Sequence, residues 1–170
     1  ALKEGHPDAY TVGDTTYGKG VMQSTFTFSD GSALKITTAR WLSPEGKWIN
    51  EVGIAPDYPV SLHDALYQAY PHFSEDESFT LDDAGQYIEL MEMALDYLDY
   101  DVERQDGYFD ESFLNALNAY KSEHGFKADG ILDKTTYETI ISSVTKVKGI
   151  DKSKDTQLNE AIKIIKEGAA

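Results

Sequence analysis

Lys19 stands between two glycines in the stretch TTYGKGVMQ (residues 15–23), and Gln23 follows it by four positions. A lysine acts as a general base only when its amine is neutral, so a reference pKa of about 10.4 must fall by roughly three units, at ~4 kcal/mol. Desolvation in a closed site is the usual means. Flanking glycines let the backbone turn tightly and let neighbouring chain pack close. Gln23 is placed to hydrogen-bond the amine and hold it towards a partner hydroxyl. Four residues of extended strand separate Cα atoms by ~13 Å, whereas one helical turn brings them to ~6 Å. The pairing therefore predicts a bend or a single helical turn across Gly18–Gln23. The same triplet also suits an exposed turn with a solvated lysine, and residue types alone leave both readings open.

The elements that must position this lysine are short and extended. ALKEG (1–5) reads as a helix end stopped by Gly5 and Pro7, and AYTVGD (9–14) as a strand. STFTF (24–28) alternates Thr with Phe, SDGS (29–32) supplies a turn, and ALKITTARWL (33–42) returns, which is the pattern of a hairpin. SPEGKW (43–48) makes a second turn, and GIAPDYPV (53–60), with two prolines, is an extended exit segment or edge strand.

From Leu62 the apolar period lengthens towards that of a helix. Helices are expected near 82–98, 110–124 and 133–144, each opened by an Asp able to cap free amides. Ile88, Met91, Leu95 and Leu98 form one apolar stripe, and Phe113, Leu114, Leu117 and Tyr120 another. DGYFDESF from Asp106 is echoed by DGILDKTTY from Asp129: a tight turn that needs glycine, a buried anchor, then a helix cap. DTQLNEAIKIIK (155–166) is one more amphipathic helix.

Charge marks the same division. Residues 1–60 carry 5 basic and 7 acidic groups, residues 61–145 carry 4 and 19, and residues 146–170 carry 6 and 4. A net charge of -15 argues against nucleic-acid binding, which rewards Lys and Arg clusters. With no cysteine, thiolate metal sites and cysteine nucleophiles are excluded. His6, His63, His72 and His124 are too dispersed to propose a metal site, and no acidic spacing matches a calcium loop, so no cofactor is expected.

Three blocks in order, VGDTTYGKGVMQ (12–23), DGSALKITTARWLSPEGKWIN (30–50) and GIAPDYPV (53–60), resemble the C-terminal half of the carboxyl-terminal processing, or tail-specific, proteases. That family consists of serine endopeptidases with a Ser-Lys dyad supported by a Gln. The resemblance implies Lys19 as general base and Gln23 as its orienting partner. It places the nucleophilic serine on a helix upstream of residue 1, with ALKEG as the tail of that helix. Ser24, Ser29, Ser32 and Ser43 all lie on the wrong side of the lysine, so the chain by itself is expected to be an inactive fragment.

Residues 80–145 resemble the small three-helix peptidoglycan-binding domain, with Phe109 and Leu132 as turn anchors. Tyr97, Tyr100, Tyr108 and Tyr120 are candidates for stacking on sugar, although their spacing also suits core positions.

The expectation is thus an α+β chain. Residues 1–60 form the β-rich C-terminal half of the protease domain, 61–79 a linker, 80–145 a peptidoglycan-binding-like helical domain, and 146–170 a C-terminal helix returning to the protease part. The resemblance implies unfolded or C-terminal protein segments as substrate, peptidoglycan as a second ligand, and an extracytoplasmic location, anchored or secreted. Exposed strand edges invite a homo-oligomer. The rival reading is a non-catalytic peptidoglycan-binding or protein-interaction module.

Overall fold

The computed structural model describes residues 1–168 and has the α+β character expected. The chain divides into two compact units, Ala1–Ser61 with the chain from Glu160 onward, and Leu62–Asn159.

The first unit is built mostly of strands. The short helix α1 (Leu2–Gly5) ends ahead of Pro7. Strand β1 (Val12–Gly13) pairs in parallel with β4 (Tyr58–Pro59). Asp57 pins this pair: Thr11 N–H and Oγ1–H donate to its Oδ2 at 2.9 and 2.8 Å, and Lys3 Nζ lies 2.7 Å from Oδ1. The hydrogen bond from Lys3, followed by those from Thr11, holds the Asp57 carboxyl down at about 2.

The predicted hairpin is present as β2 (Val21–Thr27) and β3 (Ala33–Arg40), antiparallel. Its turn is closed by Asp30, whose Oδ1 accepts from Ser32 N–H at 3.0 Å and Ser32 Oγ–H at 2.6 Å. Register passes from Met22↔Ala39 to Gln23↔Thr37, so Thr38 is the extra residue of a bulge. The Thr38 hydroxyl is satisfied by Ser24 Oγ at 3.1 Å.

The second unit is helical. Its helices are α2 (Gln86–Tyr97), α3 (Glu111–Glu123) and α4 (Lys134–Ile150). The two-residue strands β5 (Ser78–Phe79) and β6 (Leu132–Asp133) pair beside them. Asp110 and Asp133 cap α3 and α4 as expected, accepting from Phe113 N–H at 2.9 Å and Thr136 N–H at 2.8 Å. The start of α2 differs: it begins at Gln86 behind Gly85, with no side-chain cap. Asp82 lies upstream at positive φ and accepts the Tyr108 hydroxyl at 2.7 Å instead.

The segment 61–79 is not a linker. Ala65 and Phe73 are buried in the helical core, and the Phe73 ring meets Tyr87 and Tyr137 at 4.7 and 4.9 Å. The Tyr137 hydroxyl donates to Pro71 O at 3.0 Å and the Tyr87 hydroxyl to His72 O at 2.8 Å, so aromatic burial straps the segment down. Phe109 and Leu132, the expected turn anchors, are fully buried.

Helix α5 (Thr156–Glu167) closes the described chain. Within the first unit, its Ala161, Ile164 and Ile165 line a groove with Asp8, Tyr10 and Val12.

Candidate functional site

Lys19 and Gln23 do not occupy a helical turn. Residues 15–20 have no regular structure, and the chain enters β2 at Val21, so Gln23 lies on an extended strand. The expected bend fails because Gly18 O, Gly20 N–H and Gly20 O are engaged by neighbouring segments rather than by a helical turn of their own. Both side chains are exposed, and among the described residues neither makes a hydrogen bond or ion pair.

What the structure fixes is the backbone on either side of Lys19. Gly18 O accepts from Glu51 N–H at 2.8 Å, and Gly20 N–H donates to Asn50 Oδ1 at 3.2 Å. Gly20 O takes two donors, Trp41 N–H at 2.8 Å and Trp48 Nε1–H at 3.2 Å. Just upstream, Thr16 N–H donates to Ile54 O at 3.1 Å, and its hydroxyl accepts from Ile54 N–H at 2.9 Å.

The flanking glycines are explained by this clamp. Gly18 has φ +77°, and a Cβ there would stand 2.6 Å from Gly53 N. A Cβ on Gly20 would stand 2.4 Å from Asn50 N. Such approaches exclude any side chain at either position. Lys19 therefore projects from a stiff, glycine-bounded turn. Residues 48–54 fall largely within the quoted blocks, but their clamping of the lysine turn was not assigned from sequence, because nothing local in WINEVGI marks a contact about thirty residues away.

In the helical unit, Tyr97 and Tyr120 are buried and serve the core, which removes them as sugar platforms. Tyr108 is exposed and Tyr100 half-buried. A groove of about 350 Å³ runs past Tyr100, Tyr120, His124, Ser143, Lys146 and Asp151. Its polar groups are partly tied: the Tyr120 and Ser143 hydroxyls are 2.8 Å apart, and the Tyr100 hydroxyl donates to Glu123 Oε2 at 2.6 Å.

The two echoed turns are held from the helices. Glu92 Oε2 accepts from Gly107 N–H at 2.8 Å, and Asn118 Oδ1 accepts from Gly130 N–H at 2.9 Å. Buried Lys121 donates to Asp129 Oδ1 and Ile131 O, both at 2.7 Å. Glu92 is 0% exposed and its Oε1 has no partner among the described residues. Burial pushes its carboxyl up to about 7, with Asp106 and Asp110 acting in the same direction.

Two known families meet in this chain. Residues 2–60 match peptidase family S41, and residues 84–140 match the family described as "Putative peptidoglycan binding domain". The resemblance to the carboxyl-terminal processing proteases, with a peptidoglycan-binding-like domain, is thereby borne out. Among individual relatives, "Carboxy-terminal processing protease CtpB" of Bacillus subtilis is 35% identical over 164 residues, covering 96% of this chain and 33% of that protein. "Probable CtpA-like serine protease" of Staphylococcus haemolyticus is 34% identical over 156 residues, covering 91% of this chain and 31% of its own length. The chain thus spans about a third of the curated relatives it matches. Of solved structures, the SleB N-terminal domain overlies 43% of this chain at 19% identity with a TM-score of 0.40.

Proposed function

We propose that this chain is the C-terminal part of a serine endopeptidase that works outside the cytoplasm, with Lys19 as general base and Gln23 as its orienting partner. The observation that carries the reading is the rigid, glycine-bounded lysine turn inside the segment that matches peptidase family S41. Neutral Lys19 takes the proton from a serine hydroxyl as its oxygen attacks the peptide carbonyl. The resulting ammonium returns a proton to the leaving amine, and water then hydrolyses the acyl-enzyme. Backbone amides are the usual stabilisers of the oxyanion.

The serine is supplied by the protease outside these residues. None of Ser24, Ser29, Ser32 and Ser43 is assigned the role. On this reading the present chain hydrolyses nothing by itself, and the substrates are unfolded or C-terminal protein segments. The test is the full-length protein, wild type against Lys19→Ala, on an unfolded protein substrate. Activity lost while folding survives supports the dyad. Unchanged activity leaves Lys19 as a structural turn residue and favours the non-catalytic reading.

A second ligand is supported by the match of residues 84–140 and by the groove beside Tyr100. The helical unit is proposed to bind peptidoglycan. Co-sedimentation with purified insoluble peptidoglycan checks this, and a chain left wholly in the supernatant rejects it.

A further inference from the structure

We propose that Asn50 is a positioning residue for Lys19, acting through the amide of Gly20. This rests on the dyad reading above.

The residue after the lysine is the point of control. Gly20 is buried, and its N–H finds an acceptor in the Asn50 side chain at 3.2 Å. The same side chain is oriented from its other end, where Nδ2–H donates to Glu51 Oε1 at 3.2 Å. That contact directs the amide oxygen towards Gly20. On the far side of the lysine, Glu51 N–H holds Gly18 O at 2.8 Å, so residues 50 and 51 grip the peptide groups before and after Lys19.

The grip is close because residue 20 has no side chain. The ideal Cβ of a residue there would lie 2.4 to 2.7 Å from the N, Cα and Cβ of Asn50. Gly20 is therefore shaped to receive Asn50, and Asn50 to hold Gly20. Without the Asn50 oxygen, a buried donor loses its acceptor, and the backbone must shift to find water or another partner. Any such shift begins one residue from Lys19 and is carried to the amine at the end of a four-carbon stem.

The experiment uses the full-length protein and compares Asn50→Leu, Asn50→Asp and Lys19→Ala on an unfolded protein substrate, each checked for folding by thermal melting. Asn50→Leu keeps the shape and removes the acceptor. The expected result is a kcat lowered by about 10- to 100-fold with little change in KM, the scale of a misplaced reacting group.

Asn50→Asp keeps an acceptor for Gly20. It is expected to recover most of kcat, because the buried Gly20 N–H keeps its partner. Unchanged kcat in Asn50→Leu, with activity abolished in Lys19→Ala, overturns the inference and leaves the dyad standing. Full activity in Lys19→Ala overturns both. Should Asn50→Leu fail to fold, the smaller Asn50→Ala decides by the same split of kcat against KM: an unchanged kcat overturns the assignment.

Discussion

The helical unit and the strand unit solve the same problem by different means. Every buried hydrophobic side chain among the described residues lies between Ala65 and Val144. In the strand unit, Met22, Phe26, Leu34 and Ile36 share one face of the hairpin and remain 41 to 48% exposed. What orders the strand unit is backbone hydrogen bonding and glycine-permitted close approach, at Gly18, Gly20 and the strands pinned by Asp57. The helical unit is held by apolar packing. A site that needs a precisely placed backbone can be made the first way, whereas a binding platform needs only the second.

This contrast predicts unequal responses to truncation, which is the largest effect expected. Phe113→Ala, deep in the helical core and 4.7 Å from the Phe109 ring, is expected to cost about 3–5 kcal/mol. Phe26→Ala, half exposed on the hairpin, is expected to cost less than about 1 kcal/mol. Urea unfolding followed by helical circular dichroism checks the first, and hairpin amide exchange the second. Equal losses would show that the exposed hairpin face is covered in solution.

One carboxyl in each unit contributes a pH dependence of opposite sign. The Glu92 carboxyl is raised from its ordinary 4.5 to about 7. The folded state therefore keeps a proton that the unfolded chain gives up, and the contribution is complete below about pH 4.5 and lost as pH rises through 7. That difference corresponds to roughly 3 kcal/mol, at ~1.36 kcal/mol per pKa unit. Glu92→Gln should abolish the loss and stabilise the helical unit at pH 8, because a neutral amide still accepts from Gly107 N–H and pays no charging penalty.

Asp57 runs the other way: its carboxyl is lowered to about 2, so the pinning of β1 to β4 is present above its ordinary 3.8 and lost as pH falls towards 2. Acid thus acts in opposite senses at these two carboxyls, whereas in the helical unit the lowered carboxyls of Asp106, Asp129 and Asp151 side with Asp57. Amide exchange protection compared at pH 3 and pH 7, corrected for intrinsic rates and referred to Glu92→Gln and Asp57→Asn, would show opposite trends for the two contributions. Parallel trends would rule out these two carboxyls as the source.

What could be read in the sequence follows the same divide between local and distant causes. The hairpin was legible because Thr and Phe alternate on both sides of SDGS, and the caps at Asp110 and Asp133 because their acceptors serve amides three residues on. The Phe109 and Leu132 anchors followed from the echoed Asp-Gly turns. Phe73 was not legible, since its partners Tyr87 and Tyr137 are distant in sequence and no periodicity marks a strap. Lys19 and its glycines announced a tight turn, but its shape is set by Asn50, Glu51 and Trp48 through contacts that no spacing rule records. Helix α4 continues past residue 144 because no proline or left-handed glycine interrupts KVKGI, and Gly149 stays within the helix.

The smallest predicted effects concern the helix starts. Asp110→Ala removes the oxygen that receives Phe113 N–H and should cost about 1 kcal/mol. Helix α2 offers the reverse experiment, since Gly85 leaves its first amides without a side-chain cap. The backbone there is extended, at φ 165°, and an added Cβ would meet only Phe79 Cε1 at 3.8 Å, an ordinary contact. Gly85→Ser should therefore place a hydroxyl where the free amides need one and gain a few tenths of a kcal/mol, roughly 0.3–0.5. Denaturant midpoints at matched slope resolve a shift of this size when the two variants are measured together. A loss in Gly85→Ser would mean that the bond from Gly85 N–H to Gly107 O constrains the cap more tightly than its torsion angles do, and that the first Asp-Gly turn, not the helix, sets the conformation of residue 85.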